Sequence, residues 1–424
     1  MSVLRNTSIT LAARYLGNGA KAGAALVVAT TLGTAGAGTF ALLRVWPHLA
    51  AALLGGGITI ATPYLVGSRK YPVRVIGQMV TAVGLLMGMF AYAVWVLASG
   101  FLESKFHGQL SHGDFLLVGI SIPFLLIRNN LNSVQQGLQT FRAANLVLFI
   151  EEIVTLLLVL PLFWMKDGNT TLILVGASVG GAVASYLASA IMLLRKGVAP
   201  WPRLHWPIAV EAFTFGLKGH IGRVANMLTW RLDILILSAM TTVEIVGLYA
   251  VACQAAEMFR PLSASLTYVL RPFIASLSME EARARGVYLY RRVFAVNLAL
   301  VGVMALIGGP AIIMLFGEEF RGAILPFQIL LIGLAAHGAD GVLTGYNVGI
   351  GRPEFNTYTA LVGLLATLVG DLTLIPPYGV VGAGIASSIA YTVKAVTMTA
   401  IFLTTSGVTF QQLSGLKEYS PDAA

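Results

Sequence analysis

Residues 14–42 read RYLGNGAKAGAALVVATTLGTAGAGTFAL, and residues 223–251 read RVANMLTWRLDILILSAMTTVEIVGLYAV. At an offset of 209 residues, without a gap, Arg14 falls on Arg223, Leu26 on Leu235, Gly38 on Gly247, Phe40 on Tyr249 and Ala41 on Ala250. The register runs on to Pro63 over Pro272. Both stretches are apolar over a length that suits a membrane helix, yet each opens with an arginine and the first adds Lys21. A cation at a bilayer centre costs roughly 2.5–3.5 kcal/mol on insertion scales, so these must be hidden from lipid, paired or used. The glycines around Lys21 resemble a phosphate loop only superficially, because no strand precedes them and no Gly-Lys-Ser/Thr follows. Later segments repeat with small gaps: GLQTFRAAN (137–145) with GIGRPEFN (349–356), LVLPLFW (158–164) with LTLIPPYG (372–379), and VGASVGGAVASY (175–186) with VGAGIASSIAY (381–391).

Composition sets the class. The chain has 424 residues, of which 57% are hydrophobic and 11% charged, with a mean hydropathy of +0.82, more apolar surface than a soluble core can hide. Crossing roughly 30 Å of hydrocarbon takes about 20 residues. Apolar runs of that length recur near 8–31, 39–66, 75–99, 115–137, 144–165, 170–194, 211–239, 246–277, 288–315, 324–349, 356–376 and 380–404, which predicts an all-α polytopic membrane protein of twelve spans. The runs are too long and too continuously apolar for barrel strands. No cleavable leader is expected, since the first run reaches full spanning length. The single cysteine, Cys253, lies within a span and reads as a small packed side chain.

Six spans separate the repeated segments, so both copies enter the membrane the same way round, as two six-helix lobes related by a parallel pseudo-twofold. Such repeats place a binding site near the midplane between the lobes. The stretch RKGVAPWPRLHWP (195–207) marks the linker, giving an N-lobe over 1–200 and a C-lobe over 201–424. Loops alternate sharply in basic content: one set, with the termini, carries fourteen Lys and Arg, the other only Lys105, Lys166 and Arg321. The positive-inside rule then puts both termini in the cytoplasm, in a multi-pass protein of the cell inner membrane. The net charge of +9 is explained in part by this asymmetry and does not indicate nucleic-acid binding, for which neither an aromatic platform nor a soluble basic domain is present.

With the repeat in place, WRLDILILSAMTTVEIVGLYAVACQAAEMFRPLSASL (230–266) and LFGEEFRGAILPFQILLIGLAAHGADGVLTGYNVGIGRPEFN (315–356), continuing to VGAGIASSIAY, resemble the polysaccharide transporter (Wzx-type flippase) branch of the multidrug/oligosaccharidyl-lipid/polysaccharide superfamily. The resemblance covers essentially the whole chain and rests on diffuse apolar patterns. It implies a V-shaped, two-lobed transporter that alternates access and carries lipid-linked oligosaccharide from the cytoplasmic to the outer leaflet. The implied cavity is lined by the first, second, seventh and eighth spans. The related lipid II flippases carry two further helices beyond the twelve found here, which weakens a peptidoglycan-precursor assignment. The implied partners are the lipid-linked substrate, membrane lipids and other polysaccharide-assembly proteins. No cofactor is expected beyond coupling to H+ or Na+.

Ten cations against seven acids fall within or at the edges of the spans, so the interior has a positive bias. Arg14, Asn18 and Lys21 share one helical face, and His220, Arg223, Asn226 and Trp230 form a comparable stripe on the seventh span, with Arg231 and Asp233 at its edges. A diphosphate headgroup suits these residues, because arginine forks onto phosphate oxygens and lysine serves as a point charge. Arg44, four residues before His48, and Arg260 complete the candidate substrate-binding cations. Arg14 near a span end also suits snorkelling, Lys21 an ion pair on another helix, and Glu257 a local pair with Arg260. Glu151 and Glu152 read as partners for Arg128. Asp233, Glu257, Asp340 and Asp371 are the intramembrane carboxylates that an ion-coupled cycle would use. Glycines 55–57 with Pro47, Pro63, Pro261 and Pro272 permit bending of the second and eighth spans. A drug/cation antiporter of the same superfamily is the competing reading, but the first three spans carry Arg and Lys and no acid. A membrane polymerase or ligase would want a reactive outer loop. The longest, FLESKFHGQLSHGD (101–114), is short and has no catalytic grouping, so the chain reads as a transporter and not an enzyme.

Overall fold

The computed structural model describes residues 2–100, 111–164, 169–259, 274 and 277–417, with side chains from Tyr15 onward except those of Lys218 and Phe259. Among the described residues the regular elements are all helices. The first span and the start of the second lie in Ser2–Leu53, and the second continues in Ile58–Gly67; the third is Val73–Leu97. The fourth is His112–Gly119 with Ser121–Gly137, the fifth Phe141–Val159, the sixth Thr170–Leu194, and the seventh Trp206–Thr229 with Leu232–Met240. Val243–Ala256 belongs to the eighth, Met279–Phe316 is the ninth, and Ile324–His337 with Asp340–Gly349 the tenth. Glu354–Ser406 holds the eleventh and twelfth. Among the described residues the helices follow the order of the twelve-span reading, the eighth only in part, and the chain is a multi-pass membrane protein. Leu97, Met314 and Leu306 are 87%, 84% and 79% exposed, as side chains facing hydrocarbon would be.

Two long helices are hairpins of spans. Gly33 turns the first at φ 66° and Gly379 the second at φ 53°, conformations that glycine takes without steric cost. Folding back at Gly379 brings Gly382 so close to the preceding span that a Cβ there would sit 2.0 Å from the Leu374 carbonyl oxygen. The ninth span begins at Met279, well before the expected 288, because Ser278 and Glu281 close a capping box ahead of the basic turn Arg283–Arg285.

The gapless repeat is written into the packing. A Cβ on Gly38 would lie 2.0 Å from the Val243 carbonyl oxygen, and one on Gly247 would lie 2.0 Å from that of Thr34. Residues 34 and 38 map onto 243 and 247 at the offset of 209, so the two lobes exchange the same contact across their pseudo-twofold, as in an isologous interface. Glycine at both positions lets the second and eighth spans touch backbone to backbone at the end opposite the basic loops.

Towards the basic end the second span breaks at Gly55–Gly57, with Gly56 and Gly57 at φ 56° and 76°. The break lays Ile58–Gly67 along the seventh span, where a Cβ on Gly57 would be 2.5 Å from the Gly216 carbonyl. Lys70 Nζ and Tyr71 Oη donate to Glu211 Oε2 at 2.8 and 2.7 Å across the same seam. Glu211's hydrogen bond holds the Lys70 ammonium above its ordinary range. Pro261 and Pro272, and with them the far end of the repeat register, lie outside the described residues.

Candidate functional site

Buried charge in a membrane protein must be paired or functional, and here most of it is paired across helices. Arg44, on the second span, forks onto Glu152 of the fifth with Nη1 and Nη2 donating at 2.7 and 2.8 Å. One turn on, His48 sets Nδ1 2.7 Å from the Arg44 carbonyl oxygen and Nε2 2.8 Å from Glu151 Oε1, so both ring nitrogens face acceptors. The other oxygen of Glu151 takes Arg128 Nη1 at 3.0 Å. On the C-lobe side, Arg231 forks onto Glu257 with two hydrogen bonds of 3.0 Å.

These groups surround the space between the lobes. A chamber of about 280 Å³ is lined by Lys21, Arg44, His48, Glu152, Arg231 and Glu257 among others. A second, of about 520 Å³, shares Lys21, His48, Glu152, Arg231 and Glu257 and extends to Tyr15, Asn18 and Asn145 at the basic end. The cavity is thus closed at the Gly38–Gly247 contact and reaches the basic side. Lys21, Arg44, Arg128 and Arg231 oppose Glu151, Glu152 and Glu257, four cations to three carboxylates. Lys21 is the one of these cations that makes no hydrogen bond or ion pair among the described residues, while Arg44 and Arg231 are held beside it.

The sequence placed several residues elsewhere. Asn18 and Lys21 do line the inter-lobe cavity, as do Arg44 and Arg231. His220 and Arg223 do not: His220 Nε2 reaches the Leu53 carbonyl oxygen at 3.0 Å and Arg223 donates to Thr59, so both tie the seventh span to the second. Asn226 accepts from Lys394 at 2.7 Å inside the C-lobe. The cause is the break at Trp230–Arg231, which leaves the stripe through Asn226 and Trp230 facing the C-lobe and swings Arg231 to the opposite side. The C-lobe arginine that lines the inter-lobe cavity is therefore Arg231 and not Arg223. Glu257 takes Arg231 as a partner. The side chains of Arg14 and Lys218, and all of Arg260 and Arg271, lie outside the described residues. Glu152 was read as a partner for Arg128 but holds Arg44 instead; adjacent glutamates on one span carry no sequence sign of which neighbour each will meet.

Of the carboxylates proposed for ion coupling, Asp233 accepts from Tyr249 Oη at 2.6 Å, Ser387 Oγ at 2.8 Å and the Ile234 amide at 2.7 Å. Asp371 is fully buried, within reach of the Asp233 charge, and neither of its oxygens has a hydrogen-bond partner among the described residues. Asp340 sits 3.5 Å from Lys394 Nζ and 3.7 Å from His337 Nε2. Tyr249, Ser387 and Lys394 carry no chemical motif, and their roles emerge only when the seventh, eighth and twelfth spans are packed.

The Arg128–Glu151 pair is almost fully buried, so removing one partner leaves an uncompensated charge at a cost of about 3–5 kcal/mol. Glu151→Gln is expected to lower the thermal midpoint of the detergent-solubilised protein markedly, and Arg128→Met with Glu151→Leu to recover most of the loss. Fluorescence-detected thermal unfolding checks both.

Two six-helix lobes about a charged inter-lobe cavity are an arrangement shared with solved membrane transporters. The structure superposes on the inward-facing form of a multidrug resistance MATE family transporter at a TM-score of 0.72, with 16% identity over 96% of this chain and 98% of that one. The outward-facing form gives 0.63. The lipid II flippase MurJ, inward closed, also gives 0.72, at 15% identity over 98% of this chain and 93% of the other. In sequence, residues 3–278 match the family described as polysaccharide biosynthesis protein, and the chain belongs to that family. A probable flippase, AglR of Haloferax volcanii, is 22% identical over 199 residues, 44% of this chain and 41% of that protein. The matched stretches span 36–41% of the length of the curated relatives found.

Proposed function

We propose that this protein carries a lipid-linked oligosaccharide of the polyprenyl-diphosphate type from the cytoplasmic to the outer leaflet of the cell inner membrane by alternating access, in cell-surface polysaccharide export. The observation that carries the reading is Lys21, a cation in the inter-lobe cavity with no hydrogen-bond partner among the described residues, flanked by two guanidinium groups already oriented by carboxylates. A diphosphate presents several anionic oxygens, so it can meet Lys21 directly and compete with Glu152 and Glu257 for the forks of Arg44 and Arg231. Family membership, AglR's description as a probable flippase and the fold shared with MurJ support the same substrate class. A cationic drug would instead meet a cavity with surplus positive charge.

In this reading both termini and the linker 195–207 are cytoplasmic, the lobes divide at 200/201, and other polysaccharide-assembly proteins hand over and receive the substrate. Asp371, within reach of the Asp233 charge, is the residue assigned to a coupling H+ or Na+, since a buried carboxylate without a hydrogen-bond donor among the described residues needs a proton or a cation. Chemistry on the sugar belongs to other proteins. Depleting the protein in cells and resolving lipid-linked glycans by leaflet tests the proposal: they should accumulate facing the cytoplasm. An unchanged outer-leaflet pool would contradict it.

A further inference from the structure

A third cavity, of about 500 Å³, is lined by the C-lobe except where Ile60 of the second span closes one wall, and it is not used by the reading above. Its size falls in the range of about 300–1,000 Å³ that holds small organic ligands. Only one layer of residues separates it from the inter-lobe chamber: Trp230 and Ala256 line this cavity, while their chain neighbours Arg231 and Glu257 line the other. Exposed Arg223 and Pro353 stand at its margin.

The lining decides the ligand class. Lys394 is buried and engaged by Asn226 and Asp340, at 2.7 and 3.5 Å, and among the described residues the cavity has no counterpart of Lys21, an unpartnered cation on which a phosphate could first seat. Asp340 is offset by the same ammonium, with His337 Nε2 3.7 Å away, which removes the excess negative charge that a cation would seek. What remains inside the margin marked by Arg223 is a polar surface: the amide nitrogen of Asn226, the amide of Asn297, the hydroxyl of Thr344, which donates to Asp340 Oδ2 at 3.5 Å, and Asp340 Oδ1, buried and without a hydrogen-bond partner among the described residues. Asn297 spends its Nδ2 on the Leu334 and Ala335 carbonyls at 3.0 and 3.3 Å, leaving its carbonyl oxygen as the acceptor. Trp230 adds an aromatic wall. An alkyl tail would strand these groups without partners. A ligand dense in neutral hydroxyls satisfies them.

We infer that this C-lobe cavity binds sugar residues of the transported glycan while the diphosphate is held at Lys21, Arg44 and Arg231. The inference rests on the flippase reading, and two cysteine reporters separate them: Met227→Cys for the inter-lobe chamber and Thr344→Cys for the C-lobe cavity, each in full-length Cys253→Ala protein in nanodiscs. Maleimide labelling is followed with polyprenyl diphosphate alone, with the oligosaccharide-bearing lipid extracted from the source cells, and with the free oligosaccharide released from that lipid by mild acid. Both lipids should slow labelling at 227. Only the two glycan-bearing ligands should slow it at 344, the free one at higher concentration and without effect at 227. Asp340→Asn should raise the glycan concentration for half-protection at 344 about tenfold, as loss of a hydrogen bond to a charged group would, and leave protection at 227 by the bare diphosphate unchanged. Equal protection of 344 by the bare diphosphate, or none by either glycan, overturns the inference while protection at 227 still stands. Failure at 227 with protection at 344 contradicts the headgroup assignment instead.

Discussion

Lys21→Gln is expected to cut translocation of a lipid-linked oligosaccharide roughly 30-fold or more with membrane insertion intact, the counterpart of the about 2 kcal/mol or more that truncating one member of a desolvated charge pair costs. Among the described residues it makes no hydrogen bond or ion pair that its loss would disrupt, so the folded protein should tolerate the change. Arg44→Gln and Arg231→Gln are less clean, because each also leaves a glutamate unpaired. Lys21→Arg retains the charge and should retain much of the activity. The rate of substrate transfer in reconstituted vesicles, normalised to inserted protein, is the measurement. Near-normal transfer by Lys21→Gln would remove the anion-binding role.

Gly38→Val should abolish transport by preventing the lobes from closing at the end opposite the basic loops. The added Cβ would fall 2.0 Å from the Val243 carbonyl oxygen, a backbone atom that cannot step aside as a flexible side chain can. Gly247→Val meets the Thr34 carbonyl in the same way and should give the same phenotype, which a chance packing defect would not. Gly176→Ala, with nothing within 4 Å of its added Cβ, is the control. A cysteine placed at Ala37 in the Cys253→Ala protein should become more accessible from the side opposite the basic loops in both variants. Unchanged accessibility with normal transport would mean the contact is not a closure point.

Much of the fold was legible because membrane helices announce themselves by length and apolarity, and because a gapless register aligned Gly38 with Gly247, two residues that prove to meet. The turns at Gly33 and Gly379 fell where the sequence separates adjacent spans. Less of the site could be read. Helical spacing grouped His220, Arg223 and Asn226 correctly on one face, but the direction of that face depends on the break at Trp230–Arg231, which neither glycine nor proline marks. Which cation meets which acid is likewise a property of packing: Glu152 finds Arg44 at a sequence distance of 108 residues, and Lys394 finds Asn226 at 168. Intramembrane charge told where to look, and the three-dimensional structure told which charges were already satisfied.

The central claim is tested most directly with purified protein in sealed liposomes carrying polyprenyl-diphosphate oligosaccharide in one leaflet, the glycan's exposure being followed with a membrane-impermeant glycosidase. Protein-dependent movement of the glycan to the opposite leaflet, slowed by Lys21→Gln and by Gly38→Val, is the expected result. Exchange of lipophilic cations for protons with no movement of the glycan would contradict the flippase assignment and put the antiporter in its place.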